Sequence, residues 1–373
     1  MGEPGVDVNI AFLSRGHGFG HAARDLLVIE ALRARRPGVT VDLMSSGSGL
    51  EYYRARSVPC TDMGIPDDED MSEAAKWTVW RHLAKTPSPW DLVVTDEVVW
   101  ALPFADRILR VPVVALTDWF FADFGAPQHD RLFDSADEVI VLDFEQSHPQ
   151  APRTAAPVHF AGPVVREFGA RREQARAALG IAEDEFVAVL TLGGMPDRPE
   201  AVRMLNCVLG GWRAEPEPSC RLYVLGELSA QTIRSLPALP GGVVLVGGTP
   251  TPDRYYCAAD VTLADAMGFT GCELAFNGRR AIGLVDAEAV PRFPESFRNR
   301  LVHLRAQGWI ETAPTSCDPA ELWRLITRDR VGAAVAGAGA GAAAPVGLPA
   351  ADLDGLAARI LRHAKGGKDD RSE

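Results

Sequence analysis

Short runs of β-branched and aliphatic residues alternate with longer amphipathic stretches along the first half of the chain. Val8–Leu13, Val39–Met44, Leu92–Thr95, Val111–Leu116 and Glu138–Leu142 read as strands, and Ala22–Arg35 reads as a helix with a mostly apolar face. Runs that are apolar on both faces and separated by helices predict a parallel sheet covered on both sides. Pro149, Pro152 and Pro157 cluster where the pattern changes and mark a linker. A second series follows, with strands at Phe186–Thr191, Leu222–Leu225, Val243–Val246, Val261–Leu263 and Ala281–Val285. Helices are expected between them at Pro199–Leu209, Arg254–Ala259 and Gly271–Phe276. The tail Leu353–His363 is amphipathic, with Leu353, Leu356, Ile360 and Leu361 on one side. The expected domains are 1–155 and 156–350, followed by a C-terminal helix and tail, 351–373, that can pack back on the first domain. Two such halves leave a cleft, and in such sheets ligands sit at the carboxyl ends of the strands.

Composition narrows the classes. Hydrophobic residues make up 47% of the 373 positions and charged residues 24%, which excludes a disordered or fibrous chain. The net charge of −12 repels phosphate backbones and anionic lipid, so neither nucleic acid nor stable membrane insertion is expected. Six scattered cysteines without a C-x-x-C pair argue against a zinc module and for reduced thiols, hence a cytoplasmic location. The acidic start Met1-Gly2-Glu3-Pro4 lacks the basic region of a signal peptide. Val331–Ala351 is uncharged and long enough to span a bilayer, but its Ala, Gly, Pro345 and Pro349 read better as a loose helix and linker.

The candidate chemistry sits on glycine turns. After the first strand comes Ser14-Arg15-Gly16-His17-Gly18-Phe19-Gly20-His21-Ala22-Ala23-Arg24. Such a turn lets backbone N–H groups approach an anion at the positive end of a helix. The G-x-G-x-G spacing of Gly16, Gly18 and Gly20 breaks the dinucleotide fingerprint, and Asp42 falls inside the second strand instead of at its end. His21 at the helix start is expected to stay neutral and so can take a proton from a hydroxyl, or it can simply cap the helix. His17 carries the same two readings with a weaker functional case.

The second turn is Leu192-Gly193-Gly194-Met195-Pro196-Asp197-Arg198, where Gly193 and Gly194 can present amides to a phosphate with Arg198 nearby. The third is Gly268-Phe269-Thr270-Gly271-Cys272-Glu273. Thr270 and Glu273 share a helix face, which suits a diphosphate and a ribose but equally an ordinary capping box. The acidic run Asp67-Asp68-Glu69-Asp70 reads as a solvated loop before it reads as a metal site. Trp100, Phe104, Trp119, Phe120, Phe121 and Phe124 read first as core, with a share available to line an acceptor pocket. Asp96 and Asp118 each follow a buried strand and should stand at its carboxyl end, as functional groups or as caps.

Together the three turns resemble the GT-B glycosyltransferases, especially the branch of the peptidoglycan N-acetylglucosaminyltransferase. That family's G-H falls on Gly20-His21, its second glycine turn on Gly193-Gly194-Met195, and its T-x-x-E segment on Thr270–Glu273. A later Q-Q-x-x-N-A looks like Glu295-Ser296-Phe297-Arg298-Asn299-Arg300. The resemblance implies an α/β fold of the GT-B type, two Rossmann-like domains with parallel sheets facing each other across a cleft. It implies an inverting glycosyltransferase with His21 as base, aided by Asp96 or Asp118, acting on a nucleoside-diphosphate sugar such as a UDP-sugar. Gly193, Gly194, Met195, Arg198, Gly268, Phe269, Thr270, Glu273, Glu295 and Asn299 would bind the donor, and no cofactor or metal is expected. The acceptor would be a soluble small molecule, a natural-product or cell-envelope intermediate. Glu295 and Ser296 replace the family's two glutamines, and Arg24 stands where the family has proline. Gly20-His21-Ala22-Ala23-Arg24 is also similar to G-H-x-x-R of a nucleotide-sugar hydrolase, which leaves water as an alternative acceptor. A non-catalytic sugar-nucleotide-binding module is the third reading.

Overall fold

The computed structural model describes residues 7–66, 69, 71–85, 90–150, 152–194, 196–214, 219–336 and 348–364, without the side chains of 329–336. The chain divides into two units, Met1–Arg166 with Pro294–Ser296 and Ala350–Glu373, and Glu167–Phe293 with Phe297–Pro349.

The first unit opens with β1 (Val8–Ser14), α1 (Gly18–Arg35), β2 (Val39–Ser45), α2 (Gly47–Ala55), β3 (Thr61–Asp62) and α3 (Glu73–Lys85). It continues through β4 (Leu92–Asp96), α4 (Ala101–Phe104), β5 (Val113–Thr117), β6 (Glu138–Val141) and β7 (Val158–Phe160). These strands form one parallel sheet in the order β3-β2-β1-β4-β5-β6-β7. Period-two alternation fills both of its faces. Ala11, Leu13, Val93, Val113 and Val139 enter one core, and Ile10, Phe12, Val94, Val114 and Ile140 enter the other. β7 extends the first sheet beyond residue 155, so the unit boundary falls at Arg166 and not at the proline cluster.

The second unit runs α5 (Arg172–Ala178), β8 (Phe186–Thr191), α6 (Pro199–Ala214), β9 (Cys220–Leu225), α7 (Ala230–Ser235), β10 (Val243–Gly247) and α8 (Asp253–Ala258). It then adds β11 (Val261–Asp265), α9 (Thr270–Phe276), β12 (Ala281–Val285), α10 (Glu295–Ala306, whose first two residues go with the first unit), β13 (Glu311–Pro314) and α11 (Pro319–Ala336). Its parallel sheet has the order β10-β9-β8-β11-β12-β13. Leu190, Leu222, Leu263 and Ile282 pack against α6 and α11, where the Trp212 and Trp323 rings meet edge-on at 5.1 Å.

The last helix, α12 (Leu353–Leu361), belongs to the first unit. Leu356, Ala357 and Ile360 are buried in the same core as Val28 and Leu32 of α1, and Arg35 pairs with Asp354 at 2.5 Å. Among the described residues, no helix is long and apolar enough to cross a membrane. Residues 337–347 of the uncharged segment lie outside them. All six cysteines are unbridged.

Candidate functional site

In both sheets the strand order reverses beside the first strand, between β1 and β4 and between β8 and β11. At such a reversal the connecting helices diverge to opposite faces and leave a crevice at the carboxyl ends of the strands. The three glycine turns lie at these two places.

In the first unit, α1 begins at Gly18, earlier than the hydrophobic pattern indicates, with His17 at its N-cap. Gly16 is required by packing, because a Cβ there would lie 2.6 Å from the carbonyl oxygen of Ser46. Gly18 has φ +71°, a conformation that side chains disfavour. Gly20 meets nothing within 4 Å, so its lack of a side chain leaves open space. This compact entry sets His21 in the first turn of α1, opposite the end of β4.

Asp96 ends β4 in register with Ser14, which ends β1. Its Oδ2 lies 2.8 Å from His21 Nδ1, and its Oδ1 accepts from Arg24 Nη2 at 2.5 Å. Arg24 is buried, and its Nη1 stands 3.4 Å from Asp118, which follows β5. Burial opposes its charge, but Asp96, Asp118, Glu97 and Asp25 together hold its pKa well above the ordinary value. Burial likewise opposes ionisation of Asp96, and Arg24 and His21 outweigh it and lower its pKa. The structure thus brings His21, Arg24, Asp96 and Asp118 into one network.

Three members of that network were missed in the sequence reading. Glu97 is buried, accepts from Arg15 at 2.6 Å and from the Asp118 amide at 3.1 Å, and approaches His21 Nε2 to 3.6 Å. Against its desolvation, His21, Asp118, Arg15 and Arg24 hold its pKa well below the usual range. Its φ of +56° is strained for a non-glycine residue and aims the carboxylate back at the site. The signal available for it was adjacency to Asp96. Arg15 was visible in the glycine turn, but nothing in the sequence connected it to Glu97. Asp25, fully buried beside Asp96, has its pKa raised well above normal, chiefly by burial.

His21, Asp96 and Glu97 offer ligand atoms within 4.8 Å of one another, a spacing that can hold a metal ion. Arg24 on Asp96 and Arg15 on Glu97 already supply the cationic partners of those carboxylates, so this donor set is matched to guanidinium groups. Asp42, exposed on β2, accepts from the Trp90 indole at 2.8 Å. Trp119 meets Phe121 and Phe124 edge-on, both at 5.2 Å, while Phe120 and Phe133 are core. Asp67, Asp68 and Asp70 lie outside the described residues.

In the second unit, β8 and β11 are neighbours, so their two turns stand side by side at the carboxyl edge. Gly193 has φ +72°, and Gly194 and Arg198 are exposed. Met195 lies outside the described residues. Asp197 ties the turn to α7 through the Ser229 amide at 3.1 Å and the Thr232 hydroxyl at 2.5 Å. Thr270 opens α9, but the N-cap is Phe269 and no side chain caps the helix. The T-x-x-E run is therefore not a capping box. Glu273 is half-buried one turn on. Glu295, which goes with the first unit, opens α10, and Asn299 follows one turn later. Arg300, 1% exposed, lies over the Phe269 ring at 4.2 Å and donates to the Met267 carbonyl at 2.9 Å, fixing the turn from below. Asp265, at the end of β11, has its pKa pushed up to about 6, mainly by burial.

No family model matches the chain, and no curated protein matches it. Solved structures do. A putative UDP-N-acetylglucosamine 2-epimerase from Listeria monocytogenes superposes with a TM-score of 0.64 at 14% identity, covering 95% of each chain. Arabidopsis thaliana UGT89C1, solved with UDP, gives 0.61 at 12% identity over 96% of each chain. MurG of Acinetobacter baumannii gives 0.52 at 16% identity, covering 87% of this chain and 91% of the other. With the two parallel sheets, these likenesses show that the chain has the GT-B fold.

Proposed function

We propose that the protein transfers a sugar, with inversion, from a nucleoside-diphosphate sugar to a soluble small-molecule hydroxyl acceptor. The observation that carries this reading is the His21–Asp96 pair at the strand reversal of the first sheet. With Nδ1–H donated to Asp96, the tautomer assigned from that hydrogen bond, the basic lone pair stands on Nε2. The acceptor hydroxyl gives its proton to Nε2 while its oxygen bonds to the anomeric carbon. The bond from that carbon to the phosphate oxygen breaks, and the nucleoside diphosphate leaves with the electron pair. Asp96 and Glu97 offset the imidazolium that forms.

The leaving diphosphate gains charge, and amides around Gly193, Gly194 and Gly268, with Thr270 and Arg198, would meet it. Glu273 would accept from the ribose hydroxyls, and Phe269 and Asn299 would complete the donor site. The absence of a side-chain cap on α9 supports this assignment, since Thr270 is not spent on capping the helix. No metal is needed in this scheme, so EDTA should leave turnover unchanged.

Thermal shifts with UDP, dTDP, GDP, CDP, ADP and NAD test the reading. One nucleoside diphosphate at 100 times its Kd should add about 2.7 kcal/mol, and Glu273→Ala should abolish the shift. A shift with NAD alone would overturn the proposal. A second reading, hydrolysis of the donor, is favoured by Arg24 beside His21. Incubating donor without acceptor separates them, because hydrolysis releases nucleotide, transfer does not, and an epimerase would return an isomerised donor. A binding module would show no activity that His21→Ala could remove.

A further inference from the structure

A recess of about 510 Å³ opens on the outer edge of the first sheet, between β7 and α12. β5 and β6 separate this edge from β4 and its catalytic network. The recess exists because one position breaks the alternation. Val158 and Phe160 pack into one core, so His159 faces the side that holds α12. There it pairs in register with Ile140 and stands where an aliphatic residue would complete the apolar row. Gly355 on α12 adds no side chain, and a Cβ there would meet Asp352 Oδ2 at 2.4 Å.

Arg359 and Arg362 are matched in number by Glu138 and Asp352, but at His159 the arginines prevail. Glu138, at the start of β6, receives Arg359 Nε at 2.8 Å, Arg362 Nη2 at 2.9 Å and His363 Nε2 at 2.9 Å. One carboxylate thus serves two guanidinium groups, and the Arg362 side chain remains 52% exposed. Asp352 stands at the rim and is exposed. Burial first, then Arg359 and Arg362, push the His159 imidazole below its ordinary pKa, so the arginine field reaches into the recess. Ala161 and Leu356, both of the core that holds α12, give it an apolar wall.

We propose that this recess binds a small soluble organic anion, its phosphate or carboxylate head on Arg362 and Arg359 and its apolar body on Ala161 and Leu356. The volume suits a metabolite, and paired guanidinium groups suit an oxyanion. Its occupant would link the edge strand to the C-terminal helix.

The test follows the His159 ring by NMR in the full-length protein labelled with ¹³C-histidine, using phenyl phosphate and inorganic phosphate as probes. Phenyl phosphate should shift the His159 signal saturably and raise its titration midpoint, because a bound anion offsets the arginine field. Inorganic phosphate should act in the same direction with about tenfold weaker affinity, lacking the apolar body. Arg362→Gln should weaken both probes by about tenfold. Ala358→Leu, which narrows the recess and keeps its charges, should exclude phenyl phosphate selectively. A His159 signal unmoved by either probe would sink the proposal, as would undiminished binding in a folded Arg362→Gln variant. A shift seen only with phosphatidic-acid vesicles would overturn the assignment to a soluble ligand.

Discussion

The carboxyl edges of the two sheets share a topology and differ in what fills them. In the first unit every candidate side chain is already engaged, with His21, Arg24, Asp96, Glu97 and Asp118 locked by ion pairs among buried groups. In the second unit the edge is built of glycine turns, an uncapped helix start and exposed Arg198. The first edge is organised before any ligand arrives. The second presents groups that a ligand would complete. Substitutions should therefore change stability and kcat in the first unit, and mainly ligand affinity in the second.

The largest effect expected is on catalysis. His21→Ala should lower kcat by roughly 10²–10⁴-fold with little change in donor KM, measured by nucleotide release in the presence of acceptor. An equal fall in donor affinity would break the division of labour between the two edges. Arg24→Met should cost about 3–5 kcal/mol of stability, because it leaves Asp96 and its neighbours charged and buried without their cation. Calorimetric unfolding checks this, and a loss below about 1 kcal/mol would mean that solvent reaches the network freely.

On the second edge, Asp265 gives a contrast in pH. Its folded pKa of about 6 lies above the unfolded value, so ionisation favours unfolding. The penalty is absent below about pH 4 and complete above about pH 6. Asp265→Asn should consequently stabilise by up to about 3 kcal/mol above pH 6 and leave melting near pH 4 unchanged. A gain that did not vary with pH would refute the titration. The smallest effect should come from Thr270→Val, which removes one hydroxyl from the proposed phosphate site. Nucleoside-diphosphate affinity should fall about tenfold while the apo melting temperature stays put, since Thr270 caps nothing.

Much of this was legible in the chain, for physical reasons that also set the limit. Continuous β-branched runs located β4, β5 and β8, because a strand buried on both faces has no polar alternation to confuse it. Asp96 and Asp118 could be placed at strand ends for the same reason. β3, β7 and β13 have only two to four residues and left no pattern to read. Glu97 and Arg15 are 82 positions apart and meet only because β4 lies beside β1, a pairing that one sequence does not encode locally. Arg24 read as a motif residue, yet it is a buried cation whose partners come from two different strands. In the third turn, the spacing of Thr270 and Glu273 could not tell whether Thr270 caps α9, and the N-cap at Phe269 shows that it does not.

The return of α12 to the first unit has a consequence during synthesis. A nascent chain that has just completed β7 lacks the helix that buries Val28 and Leu32 beside Leu356, Ala357 and Ile360. That apolar strip stays open while nearly two hundred further residues, the whole second unit, are made. At translation rates of about 5–20 residues per second, the wait is on the order of ten seconds or more. The first half of this protein is thus the last to finish folding, and the exposed strip is where a chaperone would act.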